Sequence, residues 1–375
     1  MVFNQIEISV MKVSVIIPVY NVSQYVRKSI LSVLAQTYKD VEIVIVNDRT
    51  TDDSMEVIDD VLKTHEYSVD VVIVNHPINR GLSAARNTGI LNSSGRYLYF
   101  MDSDDEITPE CIELLVNSAQ QYDSDIVVGD YEVRNSDIPF PPLELKETFI
   151  DGKEQVLKVF MEKKVYQMAW NKLIKRELVI RKHLFFKEGL VHEDCLWSFL
   201  CACNADSLSV VDEKTYLYNV RSNSIMTGVS LEKDFKAYLI VLDSIIQLSE
   251  EYKLLKNRLV YSYIEEEKFY LDYAYCKKER IPDELLDEYF GLIYKQPYSL
   301  WCIFVWGLLH KKYRIRDAHY FLPEDMRREY YLRLPDYKWR YSEKIVMKVF
   351  RRWFAKVLVH KLTGCKWLDY NNFEI

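Results

Sequence analysis

Short apolar runs and longer amphipathic segments alternate along the first third of the chain. The apolar runs have strand length and are rich in β-branched or aromatic residues; they cover residues 13–18, 41–46, 71–74, 97–100 and 126–129. Between them, apolar side chains recur at helical spacing over residues 26–34, 54–62, 82–91 and 109–122. Strands that alternate with helices indicate βαβ units. The pattern therefore predicts an α/β fold with a Rossmann-like, mostly parallel sheet flanked by helices.

The pattern changes from about residue 231. Segments rich in Leu, Ile and Tyr at residues 234–275 and 282–294 have helical spacing, so a mainly α-helical C-terminal region is expected. A proline-rich break at residues 137–142 interrupts the part before it. The expected organisation is an N-terminal extension (1–11), an α/β domain (12–225) with two halves (12–134 and 135–225), and a helical region (226–375).

Four side chains follow closely after predicted strands: Tyr20, Asp48, Asn79 and Asp102. The carboxyl ends of parallel strands meet at one edge of a sheet, which is where ligands of such folds bind. We therefore expect these residues to lie at one edge of the sheet, although they are far apart in the chain.

The apolar run at residues 97–101 ends in three carboxylates, Asp102, Asp104 and Asp105. In an extended segment alternate side chains point the same way, which would bring Asp102 and Asp104 together. Two like charges about 4 Å apart cost about 4 kcal/mol at an effective dielectric constant near 20, and a hard cation reverses that sign. A site for Mn²⁺ or Mg²⁺ is therefore predicted. The alternative is a solvated acidic turn that caps the next helix.

Other residues at this edge suit a nucleotide. Tyr20 can stack on a nucleobase, although core packing accounts for it equally well, and Asp48 can accept a hydrogen bond from a base N–H. Arg80 and Arg86 can pair with diphosphate oxygens, because a guanidinium group matches phosphate geometry. Arg86 lies inside a predicted helix, so a salt bridge within the protein is an equally good account of it.

A second acidic segment, His192-Glu193-Asp194, lies among apolar residues. Charged groups in such surroundings cost free energy, which suggests that they serve a function. A carboxylate that faces the cation across a cleft can remove a proton from an acceptor hydroxyl, a step that contributes roughly 10²- to 10⁴-fold. We assign this role to Asp194 ahead of Glu193. The alternative for the two acids is a helix-capping pair, and His192 has either a structural role or that of a metal ligand.

Composition narrows the class of protein further. A net charge of −7 argues against general nucleic-acid binding, which needs a basic surface.

The seven cysteines have no metal-type spacing and fit a disulfide framework poorly, which predicts a reduced, cytoplasmic protein. Neither a secretory signal nor an apolar run of about 20 residues is present. With neither a P-loop nor a G-x-G-x-x-G turn, phosphate binding is left to a metal ion and basic side chains.

The last part of the chain is strongly basic, from about Trp339 to Lys366. Over residues 343–362, apolar side chains occupy one face of a predicted helix, and Lys and Arg residues interleave with them. Such a helix can lie in a membrane interface and meet anionic lipid, so peripheral contact with the inner face of the cytoplasmic membrane is one expectation. Packing of the helix on its own domain is the other.

Five segments together resemble the family 2 glycosyltransferases. They are VIIPVYN (residues 15–21), VND (46–48), NRGLSAARNTG (79–89), DSDD (102–105) and ED (193–194). Their order and spacing carry the resemblance, which extends from about Lys12 to Ser224. The segment Trp170-Asn171-Lys172-Leu173 looks like one in the bacterial surface-polysaccharide members and is expected near the acceptor side.

The resemblance implies a type A fold and transfer of one sugar, with inversion, from a nucleotide-sugar to a glycan or lipid-linked acceptor. The donor is most often a UDP-sugar, bound by the half at residues 12–134, while residues 135–225 form the acceptor half. The implied donor-binding residues are Pro18, Tyr20, Asn21, Asp48, Asn79, Arg80, Arg86, Asp102 and Ser103. The implied metal ligands are Asp102 and Asp104, with His192 as a further candidate. The implied catalytic acids are Asp194, as the base, and Glu193.

Two departures from the family pattern bear on base preference. Asn47 stands where an aspartate is usual, and Arg49 where a glycine is usual. The chain also lacks the Gln-x-x-Arg-Trp element of processive synthases, which favours transfer of one sugar at a time.

Two other functions stay open. One is a nucleotidyltransferase, although residues 18–21 are not the phosphate loop that it would need; the other is a non-catalytic nucleotide-sugar-binding or scaffold protein.

Overall fold

The computed structural model describes residues 11–136, 140–221, 230–254 and 281–294, together with residues 259, 260, 263, 264, 267 and 271. The chain divides into two units between Val229 and Ser230. The predicted domain boundary at residue 225 lies just before this division. The predicted basic helix at residues 343–362 lies outside the described residues, as do the first ten residues of the predicted N-terminal extension.

In the described part of the first unit, nine strands form one sheet. They are β1 (Val13–Val19), β2 (Val41–Asn47), β3 (Asp70–Asn75), β4 (Tyr97–Phe100), β5 (Glu106–Ile107), β6 (Ile126–Arg134), β7 (Phe149–Asp151), β8 (Lys172–Lys175) and β9 (Ser207–Asn219). The helices of this unit are α1 (Val26–Leu34), α2 (Ser54–Thr64), α3 (Leu82–Leu91), α4 (Cys111–Tyr122), α5 (Lys153–Met161), α6 (Arg176–Arg181) and α7 (Glu193–Asn204). The described part of the second unit contains α8 (Leu231–Glu251) and α9 (Asp283–Tyr294).

The strand order is β3-β2-β1-β4-β8-β6-β9-β5, and β7 pairs with β9 outside this path. The strands β1 to β4 pair in parallel, and so do β6 and β9. β8 runs antiparallel to both its neighbours, and β5 and β7 run antiparallel to β9. β6 extends past the predicted end at Gly129 to Arg134 because it pairs with β9 along that length. The predicted fold class, a mostly parallel sheet flanked by helices, is confirmed.

The central strands are apolar along their length because both faces of the sheet are covered. Every residue of β1 and β4 is buried, and so is every residue of β2 except Asn47. β3 lies at the edge of the sheet and mixes exposed with half-buried residues. This difference follows the general rule that strands buried on both faces read as continuous hydrophobic runs.

A buried carboxylate interrupts the apolar sequence of β2. Glu42 accepts hydrogen bonds from the Ser14 hydroxyl, from the Ser94 hydroxyl at 2.6 Å and from the Gly95 N–H at 3.1 Å. The Lys12 ammonium group lies 3.2 Å from it. Burial acts to raise the pKa of this carboxyl, but the donors of Ser14 and Ser94 outweigh it and lower the pKa to about 2. Glu42 therefore ties β2 to the start of β1 and to the segment before β4.

The sequence pattern does not predict β8, which enters the sheet beside a buried amide. Asn171 precedes it in a left-handed backbone conformation, with φ of 56°. Its Oδ1 accepts hydrogen bonds from the hydroxyls of Tyr99 (3.1 Å) and Thr215 (3.0 Å), and its Nδ2 donates to the Asp130 carbonyl at 2.9 Å. One side chain therefore connects residues of β4, β6 and β9. Because these residues are far apart in the sequence, their contacts leave no periodic signal.

The helical segment predicted at the start of the second unit is interrupted after α8. Within the segment predicted to be helical, residues 234–275, α8 ends at Glu251, and the described residues between 259 and 271 are helical again. Lys253 then adopts a left-handed conformation with φ of 57°, and the Leu254 N–H donates to the Ser249 carbonyl at 2.7 Å. This arrangement is typical of a helix C-terminus. Among the described helices, none has both the length and the apolar character needed to cross a membrane.

Candidate active site

The carboxyl ends of β1, β2 and β4 lie side by side because these strands pair in register. Tyr20, Asp48 and Asp102 follow the three strands and therefore lie at the same edge of the sheet. Tyr20 is 46% exposed, whereas Asp48 is only 3% exposed. A tyrosine ring that faces solvent is accessible to a planar ligand, so core packing does not account for Tyr20.

Three carboxylates gather just beyond β4. Asp102, Asp104 and Asp105 each offer one oxygen atom, and these atoms lie within 4.8 Å of one another. The Asp105 N–H donates to the Asp102 carbonyl at 3.2 Å, so the segment is a turn. The prediction of an extended segment is therefore wrong, because a turn and not strand alternation brings the carboxylates together. Oxygen ligands at this spacing suit Mn²⁺ or Mg²⁺.

Asp105, which is not among the predicted metal ligands, is held by two internal hydrogen bonds. Its Oδ1 accepts from the Asn219 N–H and its Oδ2 from the Tyr216 hydroxyl, both at 2.7 Å. The same hydroxyl accepts a hydrogen bond from the Asp102 N–H at 3.2 Å. Trp170 stacks on the Tyr216 ring with 4.5 Å between centroids. Trp170, predicted near the acceptor side, thus supports the acidic turn through Tyr216.

Asp104 pairs with a cation from the end of β9. The Arg221 Nε lies 2.6 Å from Asp104 Oδ2, and the two side chains are 19% and 17% exposed. Burial raises the pKa of Asp104 to about 6, with a further contribution from Asp102, while Arg221 acts in the opposite direction. The negative charge on Asp104 is thus compensated by a residue that belongs to none of the five segments of resemblance.

Arg86 connects the acidic turn to the second acidic segment. Its Nη2 donates to Asp102 Oδ1 at 2.9 Å, and its Nη1 donates to Glu193 Oε1 and to Asp194 Oδ1, both at 2.7 Å. The side chain is 1% exposed. Burial acts to lower the pKa of Arg86, but the three carboxylates, with Asp194 first, outweigh it and raise the pKa. These contacts correspond to the salt-bridge alternative for Arg86.

Glu193 and Asp194 occupy the first turn of α7, where the helix dipole favours acidic residues. Glu193 is buried, and its pKa is raised to about 7 by burial and by the nearby Asp194. The Asp194 side chain is 21% exposed. His192 precedes the helix in a left-handed conformation with φ of 61°. Among the described residues, His192 does not belong to the cluster formed by the three aspartates.

Asp48 organises the loop that leads into α3. Its Oδ1 lies 2.7 Å from His76 Nδ1 and accepts from the Arg80 N–H at 2.8 Å. Its Oδ2 accepts from the Gly81 N–H at 2.7 Å, and its carbonyl accepts from Asn79 Nδ2 at 3.2 Å. A carboxylate has about four acceptor sites, so three internal donors leave about one of them for a ligand.

The remaining predicted donor-binding residues differ in accessibility. Arg80 is half-exposed, and its Nη2 lies 3.1 Å from each carboxylate oxygen of Glu188. Asn21 is exposed, and its Oδ1 accepts from a backbone N–H of the loop after β2. Pro18 and Ser103 are buried, so their side chains support this edge of the sheet from within.

The two departures from the family pattern also lie at this edge. Asn47 Nδ2 donates to Asn75 Oδ1 at 2.8 Å, and Asn47 Oδ1 accepts from the Thr50 N–H at 2.9 Å. Arg49 is exposed and has φ of 60°, a conformation that glycine adopts at lower cost. The turn after β2 therefore keeps the shape expected of a glycine, with an arginine side chain added to its surface.

Comparison with known proteins identifies the family. The family model described as "Glycosyl transferase family 2" matches residues 14–181. Glycosyltransferase GlyG from Streptococcus pneumoniae is 31% identical over 225 residues, which are 57% of this chain and 72% of GlyG. The chain belongs to glycosyl transferase family 2. Glycosyltransferase GlyA from the same species is 34% identical over 261 residues, and this family 2 chain spans only 36% of the length of GlyA.

Solved structures with a similar fold include that of S. aureus TarS. The crystal structure of S. aureus TarS 1–349 in complex with UDP-GlcNAc aligns with a TM-score of 0.62 and 21% sequence identity. The alignment covers 76% of this chain and 80% of that one. At this identity the likeness concerns the fold, and it confirms the type A architecture implied by the family 2 segments.

Sequence reasoning does not single out two residues that contact the acidic turn, Tyr216 and Arg221. Tyr216 lies in the last part of β9 and Arg221 follows that strand, which reaches the turn by pairing with β5 and β6. Tyrosine and arginine are both common near strand ends, so the residue type alone does not identify either position as part of the site. Only the pairing of distant strands brings them to Asp102, Asp104 and Asp105.

Proposed function

We propose that this family 2 protein is a metal-dependent, inverting glycosyltransferase. It moves one sugar from a nucleotide-sugar to a glycan or lipid-linked acceptor in cell-surface polysaccharide synthesis. The observation that carries the proposal is the set of charges joined by Arg86. One guanidinium nitrogen contacts Asp102 of the acidic turn, and the other contacts both Glu193 and Asp194. A candidate metal ligand and a candidate base are therefore held at a fixed separation.

Asp102 and Asp104 would hold Mn²⁺ or Mg²⁺. Their carboxylate oxygens are close enough to share one ion, and oxygen ligands are those that these hard cations prefer. Asp105 has both oxygens engaged by Asn219 and Tyr216, which favours the other two aspartates as ligands. When bound, the ion stabilises negative charge on the departing diphosphate.

Asp194 would act as the general base. Its side chain is 21% exposed and that of Glu193 only 9%, so an acceptor hydroxyl can approach Asp194 more easily. The pKa of Glu193 is raised to about 7, so the protonated and the ionised form of this carboxyl are both present near neutral pH. Glu193 would then help to orient Arg86 and leave Asp194 to receive the proton.

The donor would be a UDP-sugar, and the transferred group a hexosyl or N-acetylhexosaminyl unit. Support comes from TarS, which has the same fold and has been crystallised with UDP-GlcNAc and with UDP. The exposed ring of Tyr20 suits stacking on the base, and Asp48 has about one acceptor site left for a base N–H. Arg80 is exposed enough to pair with a diphosphate oxygen.

The test is Mn²⁺-dependent transfer and hydrolysis with a panel of UDP-sugars, combined with calorimetric measurement of UDP binding. Asp194→Asn should lower turnover roughly 10²- to 10⁴-fold and leave UDP binding intact. Asp104→Ala should abolish the Mn²⁺-dependent part of UDP binding. The matched control is Asp212→Asn, an exposed acid on β9, which should behave like the wild type.

Two outcomes would contradict the proposal. Turnover that is unchanged in Asp194→Asn would reject this residue as the base. UDP binding by the intact protein without turnover of any donor would instead favour a non-catalytic nucleotide-sugar-binding protein.

A further inference from the structure

Arg221 reaches the acidic turn from a strand end. Its Nε lies 2.6 Å from Asp104 Oδ2. Its guanidinium carbon lies 5.5 Å from the centre of the Tyr25 ring, which precedes α1. Arg221 follows β9, whose last residue is Asn219. The side chain therefore leaves the sheet and lies against the loop after β1 as well as against Asp104.

The two guanidinium groups at this edge of the sheet are held differently. Arg86 is 1% exposed and contacts three carboxylates from within α3. Arg221 is 19% exposed, and the salt bridge that it makes among the described residues is with Asp104 alone. A competing cation can therefore displace Arg221 far more easily than Arg86.

We propose that Arg221 is a displaceable counter-ion of the metal site, which neutralises Asp104 in the ion-free protein and is displaced when a divalent ion binds. This inference rests on the metal site of the proposed function. An ion about 2.1 Å from Asp104 Oδ2 would lie within about 5 Å of a guanidinium that kept its present position. Repulsion between these charges opposes binding of the ion while the Arg221–Asp104 pair is kept.

This competition links the ion to an anionic ligand. In the protein without nucleotide, loss of the Arg221–Asp104 pair weakens the net affinity for the ion. A diphosphate that binds to the ion brings negative charge to the site and reduces the repulsion between the ion and Arg221. Mn²⁺ and UDP should therefore raise each other's affinity, by the same factor for both. Displacement of Arg221 from Asp104 accounts for part of this mutual increase in affinity.

The experiment measures Mn²⁺ binding to the full chain by the electron paramagnetic resonance signal of the free ion, with and without UDP. In the absence of UDP, Arg221→Gln should bind Mn²⁺ about 5- to 50-fold more tightly than the wild type. With saturating UDP the two proteins should differ less. Arg221→Lys, which keeps the positive charge, should resemble the wild type.

The control is Arg96→Gln, which removes the same charge from an exposed pair with Asp123. It should leave Mn²⁺ affinity unchanged, and an equal tightening in this variant would overturn the proposal. An affinity in Arg221→Gln that is equal to or weaker than that of the wild type would also overturn it.

Asp104→Asn separates failure of this inference from failure of the proposed metal site. If the wild type binds Mn²⁺ and Asp104→Asn does not, the proposed metal site is supported. The result for Arg221→Gln then decides whether Arg221 acts as a displaceable counter-ion. If neither the wild type nor Arg221→Gln binds Mn²⁺, both are overturned. The wild type provides a second measurement that needs no substitution of Arg221, because an Mn²⁺ affinity that UDP does not raise would refute the competition.

Discussion

Buried charged residues in this protein depend on partners that come from distant parts of the chain. Arg86 of α3 is surrounded by Asp102, Glu193 and Asp194, and Glu42 of β2 by donors from Ser14 and Ser94. Removing one member of such a set leaves an uncompensated buried charge, which is strongly destabilising. At the scale of single residues, the charges that shape the site are therefore also part of the stability of the fold.

Glu42→Gln should lower the free energy of unfolding by about 1.5–3 kcal/mol at neutral pH, because hydrogen bonds to a buried charge are lost. The folded-state pKa of Glu42 is lowered to about 2 from the usual 4.5. Its carboxylate therefore stabilises the fold above pH 4.5, and this contribution is lost as the pH falls from 4.5 towards 2. Urea unfolding should show the difference between variant and wild type shrinking over that range.

The control for this prediction is Asp70→Asn. Asp70 pairs with the same Lys12 at 3.0 Å, but its side chain is 76% exposed. An exposed salt bridge contributes about 0–1 kcal/mol, so this variant should remain close to the wild type. A loss of stability in Glu42→Gln that does not depend on pH would argue against the role of the ionised carboxylate.

At the scale of elements, α3 and β1 lie so close that one glycine decides their packing. An added Cβ atom at Gly89 would clash with the Ile16 side chain in β1. The β1 strand is buried along its length, so Ile16 has little room to move. The last glycine of the NRGLSAARNTG segment is therefore explained by the approach of the helix to the sheet.

Gly89→Ala should destabilise the protein by about 1–3 kcal/mol, because overpacking outweighs the gain in helix propensity. The matched control is Gly291→Ala in α9, where an added Cβ would meet no atom within 4 Å. There the same change should be neutral or stabilise by about 0.5–1 kcal/mol. Unfolding by urea measures both, and stabilisation by Gly89→Ala would show that α3 does not pack as closely as described.

At the scale of the whole molecule, the candidate site belongs to the first of two units. Its charged residues all precede the division between residues 229 and 230. The predicted basic helix at residues 343–362 belongs to the remainder and lies outside the described residues, so its contact with membrane stays a prediction.

Liposome flotation would test that contact. The full chain should float with vesicles that contain anionic lipid, whereas a chain that ends before Trp339 should float less, because basic residues near an anionic surface each contribute about 1 kcal/mol. Vesicles of neutral lipid serve as the control and should bind both chains weakly. Equal flotation of the two chains would reject membrane docking by the tail.

Local patterns in the sequence were sufficient for the α/β class, the parallel strands β1 to β4 and the edge at which the candidate residues lie. These features follow from hydrophobic periodicity, because strands buried on both faces are continuous apolar runs and parallel strands end at one edge. Tertiary structure alone decided that β8 is antiparallel, that Asp102 to Asp105 form a turn, and that Arg86 and Arg221 pair with these acids. Such contacts join residues that are distant in the sequence, so their partners depend on strand order and register, which periodicity does not encode.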